Sequence, residues 1–397
     1  MLQLDAVQSL GFAGLALFLG YALCRAIPVL GRYNLPPPVI GGLLFAIAAW
    51  IAHDRGATLF TLDTGLQAPL MIAFFTAIGF NASLLLLRVS GKQVVVFLAL
   101  ATVFAIAQNQ LGIAVAKAFG LHPLFGVLAG STTLTGGPAT GLAFAPLFEQ
   151  AGVPGAASIA VAAAMGGIVL GGLVGGPVVT LLIRRFALVS SRPQDHMAPA
   201  DDVRVVAQSE AQREYSGLKS VVTILVAMWL GSWVSGWIST TGITLPAYVG
   251  AMLVGAAIRN IDDATGWIGL SVPTIELIGN VCLAIFLALA LTNLKLWELA
   301  GLAMPLLINL GLQMLMVCAF CLVVFRLMGR DYDAAVMGGG FIGFMLGTTA
   351  NAMAVMRTLV ERYGMAPRAF LVAPLVGASF IDFTNALIIN GFIIAFE

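Results

Sequence analysis

Residues 126–141 read GVLAGSTTLTGGPATG, and this stretch decides the fold. It belongs to an apolar region at 122–148 whose centre is interrupted by glycine, serine and threonine, a combination too polar for contact with lipid. The 14 residues from His122 to Thr135 would reach only about 21 Å as a helix, whereas the hydrocarbon core of a membrane is about 30 Å thick. We therefore predict a re-entrant hairpin at 122–148 that enters and leaves the membrane on one side.

The composition of the whole chain favours a membrane protein. Hydrophobic residues make up 60% of its 397 residues and charged residues only 9%, whereas soluble domains carry roughly 25% charge. The net charge of +1 provides no field that would gather nucleic acid, so no nucleic-acid partner is expected. We expect an all-α polytopic membrane protein embedded in a lipid bilayer.

Ten further apolar stretches have about the length that a transmembrane helix needs. They are 7–29, 38–53, 66–87, 93–119, 155–186, 219–240, 246–259, 273–296, 302–328 and 367–395. A glycine-rich interruption like the first one occurs at 332–358, where we predict a second re-entrant hairpin. The segment 187–218 is hydrophilic and reads as a cytoplasmic linker between a first half, 1–186, and a second half, 219–397.

The placement of lysine and arginine agrees with this arrangement. When the N-terminus is outside and each hairpin returns to its own side, sixteen of the 19 basic residues fall on the cytoplasmic side. Arg55, Lys117 and Lys295 fall on the other side. Cytoplasmic loops of membrane proteins carry such an excess, and a full crossing by either hairpin would remove it. Both termini are therefore expected outside.

The two halves share faint matches in the same order along the chain. Asn81 corresponds to Asn293 and Gly120 to Gly329, within a set of matches at offsets of 209 to 212 residues. Each half contains five spans, and because five is odd the halves must insert in opposite orientations. Two inverted five-helix repeats, each with a re-entrant hairpin, are typical of secondary transporters that work by alternating access.

The interruptions of the two hairpins supply candidate binding groups. A half-helix that starts at such a break offers free N–H groups and a positive dipole end, which favour carboxylates. The candidate substrate-binding residues at the breaks are Thr135, Gly136, Gly137, Thr140, Gly347, Thr348 and Thr349. Freed carbonyls and hydroxyls are hard oxygen donors that suit Na⁺, and the candidate ligands are Ser131, Thr132 and Thr133. The alternative is that these small residues only allow close helix packing.

Asp382 is the acid that stands in the interior of a span. An acid at that depth is costly and normally faces a cavity or a partner. Ser379, Asp382 and Asn385 fall on roughly one helical face, and Asp382 and Asn385 are candidate substrate-binding residues. An ammonium ligand, a Na⁺ ligand, a proton carrier and a structural cluster all remain open as its role. Interhelical hydrogen bonding is the commoner use for the other amides in apolar spans, which are Asn81, Gln108, Asn109, Asn293 and Gln313.

Motifs of known catalytic chemistry are missing from the sequence. It contains no H-E-x-x-H, no P-loop and no Ser-His-Asp order of the known hydrolases. Neither an enzyme nor an ATP-driven pump is expected.

Several stretches carry a resemblance to a known family. They are PLMIAFFTAIGFNA (69–82), QNQLGI (108–113), GVLAGSTTLTGGPATG (126–141), LGGLVGGPV (170–178), LKLWELA (294–300), DYDAAV (331–336), ERYG (361–364) and FIDFTNALII (380–389). Nearly end to end, the chain resembles bacterial sodium/glutamate symporters of the glutamate:Na⁺ symporter family. The resemblance implies Na⁺-coupled glutamate uptake through the inner membrane. The termini, which the basic residues place outside, are then expected to be periplasmic. The resemblance also implies a homodimer in which a transport domain slides against a scaffold, an elevator-type mechanism.

Two loops depart from the pattern of that family. Pro138 and Ala139 stand where the first loop often has histidine and glycine, and Ala350 stands where the second often has proline. The two carboxylates of glutamate match the two hairpin tips, and its ammonium matches Asp382. A Na⁺- or H⁺-coupled carrier of di- or tricarboxylates is the alternative, disfavoured because no arginine lies at the tips. A gated channel is disfavoured because the hairpins close the path from opposite sides.

Overall fold

The computed structural model describes residues 2–32, 35–57, 60–89, 91–190, 210–240, 247–299 and 301–396. Its secondary structure is helical except for two short parallel strands, β1 (Leu2–Leu4) and β2 (Phe60–Leu62), which the sequence analysis did not predict. Most of the predicted linker at 187–218, and residues 241–246 between the predicted spans 219–240 and 246–259, lie outside the described residues.

The helices follow the predicted order in both halves. Those of the first half are α1 (Ala6–Ala26), α2 (Pro28–Arg32), α3 (Pro37–Asp54), α4 (Gln67–Asn81), α5 (Leu84–Val89), α6 (Lys92–Ala118), α7 (Pro123–Val127), α8 (Gly137–Gln150) and α9 (Ala156–Arg185). Those of the second half are α10 (Glu210–Ser239), α11 (Ala247–Thr265), α12 (Val272–Thr292), α13 (Ala303–Leu327), α14 (Tyr332–Met345), α15 (Thr349–Tyr363), α16 (Pro367–Ser379) and α17 (Ile381–Phe396). A π-helical turn, Leu128–Thr132, follows α7, and a 3₁₀ turn, Leu296–Leu299, follows α12.

Among the described helices, seven are long and apolar enough to cross a membrane: α1, α3, α6, α9, α10, α12 and α13. The pair α16 and α17, bent by 43° at their junction, would make an eighth span. α4 has only 15 residues, about 22 Å of helix, and α11 carries Arg259, Asp262 and Asp263 in its last turns. The chain is therefore a polytopic helical membrane protein, and the count of ten spans stays a prediction.

The predicted span at 66–87 ends early, because α4 stops at Asn81. Asn260 of α11 holds the chain in its non-helical path there. Its Nδ2 donates to the carbonyl of Ala82 at 2.8 Å, and its Oδ1 accepts the N–H of Leu84 at 2.7 Å. This contact joins residues far apart in the sequence, so local hydrophobicity could not reveal it.

The helices pack in two groups. In the first group, α4 packs against α11 and α12, α3 packs against α1 and α12, and α10 packs against α11. The second group contains α6, α9, α13, both hairpins, α16 and α17. Within it, α6 packs against α7 and against α13, and α14 packs against α9. Contacts of α8 with α12 and of α16 with α4 join the two groups. Both hairpins therefore belong to one packed body.

Glycine lets the first hairpin approach α6 at backbone distance. A Cβ at Gly126 would overlap the backbone of Gly112, so this crossing leaves no room for a side chain. Small residues serve in this way at helix contacts in membranes. Beyond the crossing, the ring of Phe104 packs against the rings of Phe320 and Phe341, with centroids 4.9 Å and 5.4 Å away.

Polar contacts fix the base of the second hairpin. Asp331 pairs with Arg368, and Asp333 Oδ1 accepts the backbone N–H of Arg368 at 3.0 Å. The hydroxyl of Tyr332 donates to the carbonyl of Gly364 at 2.6 Å. The start of the hairpin is thus bonded both to its end and to the start of α16.

Alanine at Gly126 should lower the melting temperature of the detergent-solubilised protein. The added methyl would overlap the Gly112 backbone, and overpacking of this kind costs about 1–3 kcal/mol. The matched control is Gly176→Ala in α9, where no atom lies within 4 Å of the added methyl and alanine favours the helix by up to about 1 kcal/mol. Thermal unfolding followed by circular dichroism should separate the two variants, and equal melting temperatures would contradict the backbone contact.

Candidate functional site

The breaks of the two hairpins lie side by side. We call residues 128–139 the first tip and residues 345–349 the second tip. Gly137 has a φ of +71°, and a Cβ built there would lie 3.4 Å from the Cγ2 of Thr348. Only glycine adopts this conformation without strain, so Gly137 lets the first tip turn directly against the second.

A cavity of about 200 Å³ lies between the two tips and the first turn of α17. Its polar lining comes from Thr135 and Gly136 of the first tip, Thr348 and Thr349 of the second tip, and Asp382 of α17. Among the described residues, Asp382 has no side-chain hydrogen bond or ion pair, and no Lys or Arg lines the cavity. A lone carboxylate therefore faces the cavity between the tips.

Two helix N-termini border the same cavity. α8 starts at Gly137 with no side-chain cap, and α15 starts at Thr349, where the Thr348 hydroxyl accepts the N–H of Asn351 at 3.4 Å. The first N–H groups of a helix have no partner within it, and its dipole places partial positive charge at that end. The cavity thus combines two ends that favour carboxylates with one carboxylate that favours a cation.

A second cavity of about 300 Å³ shares Asp382 and Thr349 with the first. It extends towards Asn81 at the end of α4 and towards Glu276 and Asn280 near the start of α12. Glu276 and Asn280 are exposed and stand one turn apart on the same helical face. The two cavities form one polar path from the ends of these helices to Asp382.

The sequence analysis overlooked Glu276. An acid in the first turns of a helix commonly complements the helix dipole, so its position gave no sign of a functional role. The spacing from Glu276 to Asn280 was the available signal, because it puts two polar groups on one face of an apolar helix.

Buried amide side chains donate to backbone carbonyls at the helix breaks, and one of these carbonyls, that of Ser131, also accepts the backbone N–H groups of Thr135 and Gly136. Three of these amides are fully buried: the Nδ2 of Asn309 donates to Ala129 O (2.6 Å), the Nδ2 of Asn385 to Ser131 O (3.0 Å) and the Nε2 of Gln108 to Met345 O (2.8 Å). An unpaired carbonyl inside a membrane protein costs several kcal/mol, so these bonds stabilise the broken helices. Interhelical bonding of Gln108, as predicted, is confirmed.

Four buried side-chain oxygens that belong to the π-helical turn or to amides bonded to it have no hydrogen-bond partner among the described residues. One is Asn309 Oδ1, and the other three are Ser131 Oγ, Thr132 Oγ1 and Asn385 Oδ1. The chain leaves helical geometry at Gly130, with φ −102° and ψ −128°. By contrast, the Thr133 hydroxyl donates to the carbonyl of Leu128 at 2.8 Å. The four oxygens are hard donors of the kind that binds alkali and alkaline-earth cations.

The remaining predicted site residues lie around the cavity rather than on it. Thr140 packs against Gly136, and Gly347 packs against Asn351. The side chain of Ser379 lies outside the described residues. Of the departures from the family pattern, Pro138 and Ala139 line the smaller cavity, so they lie where they can affect what binds.

Two helix breaks that border a small cavity lined by Asp382, within a polytopic helical chain, are typical of a membrane transport protein. The family model for sodium/glutamate symporters matches residues 2–365. Sodium/glutamate symporters of Haemophilus influenzae and Escherichia coli are 39% and 38% identical to the chain, over 96% and 98% of its length and the same shares of theirs. The chain belongs to the sodium/glutamate symporter family.

Proposed function

We propose that the protein carries glutamate together with Na⁺ across the membrane, as a transporter and not an enzyme. Family membership supports this function, and the relatives of Haemophilus influenzae and Escherichia coli are named for it. The observation that carries the proposal is the unpaired Asp382 carboxylate beside two helix N-termini. The α8 and α15 ends receive the two carboxylates of glutamate, and Asp382 receives its ammonium.

The same cavity disfavours the alternative substrate, a di- or tricarboxylate. Such a substrate has no ammonium to pair with Asp382, and like charges that face each other without a counter-charge cost several kcal/mol. Neither cavity is lined by Lys or Arg among the described residues, so nothing there would offset the repulsion.

Asp382→Asn should weaken glutamate binding roughly 10- to 100-fold, because hydrogen bonds to charged groups contribute about 1.5–3 kcal/mol. Binding is measured by calorimetry at saturating Na⁺, with Glu276→Gln as the control, since Glu276 lines only the larger cavity. Glutarate, which lacks the ammonium, completes a double-mutant cycle. The wild type should prefer glutamate and Asp382→Asn should lose that preference; an unchanged preference in the variant would refute the role of Asp382.

For Na⁺, the proposed ligands are the side-chain oxygens of Ser131, Thr132 and Asn385. Buried oxygens without partners are costly, and a bound cation would satisfy all three. The predicted set also included Thr133, which we rank behind these three because its hydroxyl already donates to Leu128. Asn385 follows Asp382 by about one helical turn, so Na⁺ and the ammonium of glutamate would be held by neighbouring residues of α17.

Thr132→Val should abolish the rise in melting temperature that Na⁺ produces relative to K⁺. A ligand that binds only the folded state stabilises it, and this substitution removes a proposed ligand without changing the side-chain shape. Thr133→Val is the matched control: it loses a hydrogen bond worth about 1 kcal/mol in either salt and keeps the Na⁺ response. If Thr132→Val keeps the full Na⁺-dependent rise in melting temperature, as Thr133→Val should, Thr132 is excluded as a ligand.

The proposed architecture is two inverted repeats of five spans. Helix packing supports it, because α4 packs against α11 in the same way that its repeat counterpart α12 packs against α3. The counterparts α4 and α12 also contact each other, as do α6 and α13, which agrees with a two-fold relation between the halves whose axis passes near these helices. Under this proposal the hairpins enter from opposite sides of the membrane.

An elevator-type movement is the proposed transport step. The first helix group, with α4 and α12 at its centre, is the proposed scaffold, and the second group carries both tips and Asp382. The larger cavity leads to the end of α4 and the start of α12, which the excess of basic residues assigns to the cytoplasm. The arrangement of the helices is therefore interpreted as inward-facing.

The proposed location is the bacterial inner membrane, with both termini periplasmic. The homodimer implied by the family resemblance is also a proposal. Exposed Trp229, Trp233 and Trp237 on α10 give this helix an apolar outer face that suits lipid or a second copy of the chain.

Cysteines at Gln150 and Arg362, the exposed ends of the two hairpins, should react with an impermeant thiol reagent from opposite sides. The reagent should reach Gln150→Cys from the periplasm and Arg362→Cys only after the membrane is opened. The background replaces the four free cysteines, Cys24, Cys282, Cys318 and Cys321, by alanine. Labelling of both positions from the same side would contradict the inverted repeat.

A further inference from the structure

A single side chain on α6 is bonded to both tips. Gln108 is fully buried, and its Oε1 accepts the Thr135 hydroxyl of the first tip at 2.6 Å. Its Nε2 donates to the carbonyl of Met345 in the second tip at 2.8 Å. The backbone carbonyl of Gln108 is itself fixed, because the Nε2 of Gln313 on α13 donates to it at 2.8 Å.

Other polar contact between the tips is weak. Within the described residues, Thr135 Oγ1 also lies 4.0 Å from the sulfur of Met345, and a thioether is a poor acceptor. The approach of Gly137 to Thr348 involves a methyl group and has no directionality. Gln108 therefore supplies the strong directional link from one tip to the other.

The next residue of α6 contacts the proposed Na⁺ site. Asn109 Oδ1 accepts the backbone N–H of Ser131 at 2.9 Å, and Ser131 carries one of the oxygens proposed to bind Na⁺. Adjacent residues of one helix are thus bonded to the π-helical turn of the first tip, through Asn109, and to Thr135 and Met345, through Gln108. A change in the position of the turn is transmitted over a short distance to the group that joins the tips.

We propose that Gln108 is a positioning residue that couples Na⁺ binding at the first tip to glutamate binding between the two tips. This inference rests on the function proposed above. The carboxamide is planar, so its acceptor and its donor move together. When the first tip is in place, Thr135 orients the plane, and the amide N–H then points at Met345 and sets the second tip. Loss of either bond leaves the buried amide half-bonded, which is unfavourable, so placement of one tip favours placement of the other.

The test measures coupling rather than affinity alone. Glutamate dissociation constants are determined by calorimetry for the full chain in detergent without Na⁺ and at saturating Na⁺, and their ratio is the coupling factor. Gln108→Met, which keeps the length but loses both hydrogen bonds, should reduce this factor at least about fivefold, the lower end of usual allosteric couplings. Because coupling is reciprocal, the effect of glutamate on Na⁺ affinity should fall by the same factor.

Two neighbouring buried amides provide matched controls. Gln313→Met removes a bond to the Gln108 backbone, and Asn309→Leu removes a bond to Ala129 in the first hairpin only. Both should lower the melting temperature and keep the coupling factor, which separates coupling from general loss of stability. If Gln108→Met does not fold, Thr135→Val breaks the same link from the other end. In the double variant the losses should not add, because both substitutions break the bond between Gln108 and Thr135.

The outcomes separate the two proposals. If the glutamate affinity of the wild type is the same with and without Na⁺, the proposed function itself is overturned. A wild type that responds to Na⁺, together with Gln108→Met and Thr135→Val variants that keep the full coupling factor, would overturn the role of Gln108 alone. An equal loss of coupling in Gln313→Met and Asn309→Leu would also overturn it, since neither side chain bonds both tips.

Discussion

Backbone groups freed by a helix break cannot be left in contact with lipid, and the rest of the structure depends on how this chain satisfies them. On the carbonyl side of the breaks, Asn309 and Gln108 donate to the carbonyls of Ala129 and Met345. Asn385 adds a bond to the carbonyl of Ser131, which also accepts backbone N–H groups. On the N–H side, α8 and α15 begin at the border of a small cavity. The breaks that complicate folding in a membrane therefore supply the groups of the binding site.

This division also explains why the two cargoes would be bound so close together. Carbonyl and hydroxyl oxygens at the end of one half-helix suit a cation, and free N–H groups at the start of the next suit an anion. In the first tip only a few residues separate Thr132 from Gly136, so both kinds of group lie within one short loop. Coupled transport then requires a rigid connection between the proposed Na⁺ site and the proposed glutamate site. Gln108 and Asn109 of α6 are positioned to provide it.

Sequence patterns predicted much of this arrangement because they reflect local physics. The length deficit at His122–Thr135 and the glycine-rich runs predicted the two helix breaks that the structure contains, and the cost of an acid in a membrane made Asp382 a candidate. Long-range contacts were beyond such reasoning. The end of α4 depends on Asn260, and the use of the Thr133 hydroxyl depends on how the π-helical turn folds. The sequence around an amide in an apolar helix does not show whether the amide will bond to another helix or to two tips. The contacts of Gln108 could therefore not be predicted.

The central claim is that Na⁺ and glutamate occupy one site region and cross the membrane together. Uptake of radiolabelled glutamate into proteoliposomes tests it most directly, with an inward Na⁺ gradient compared against an equal K⁺ gradient. The account predicts transient accumulation of glutamate above its external concentration with Na⁺ and only equilibration, or no uptake, with K⁺. Accumulation of equal size under both gradients, or accumulation that follows a proton gradient without Na⁺, would contradict it.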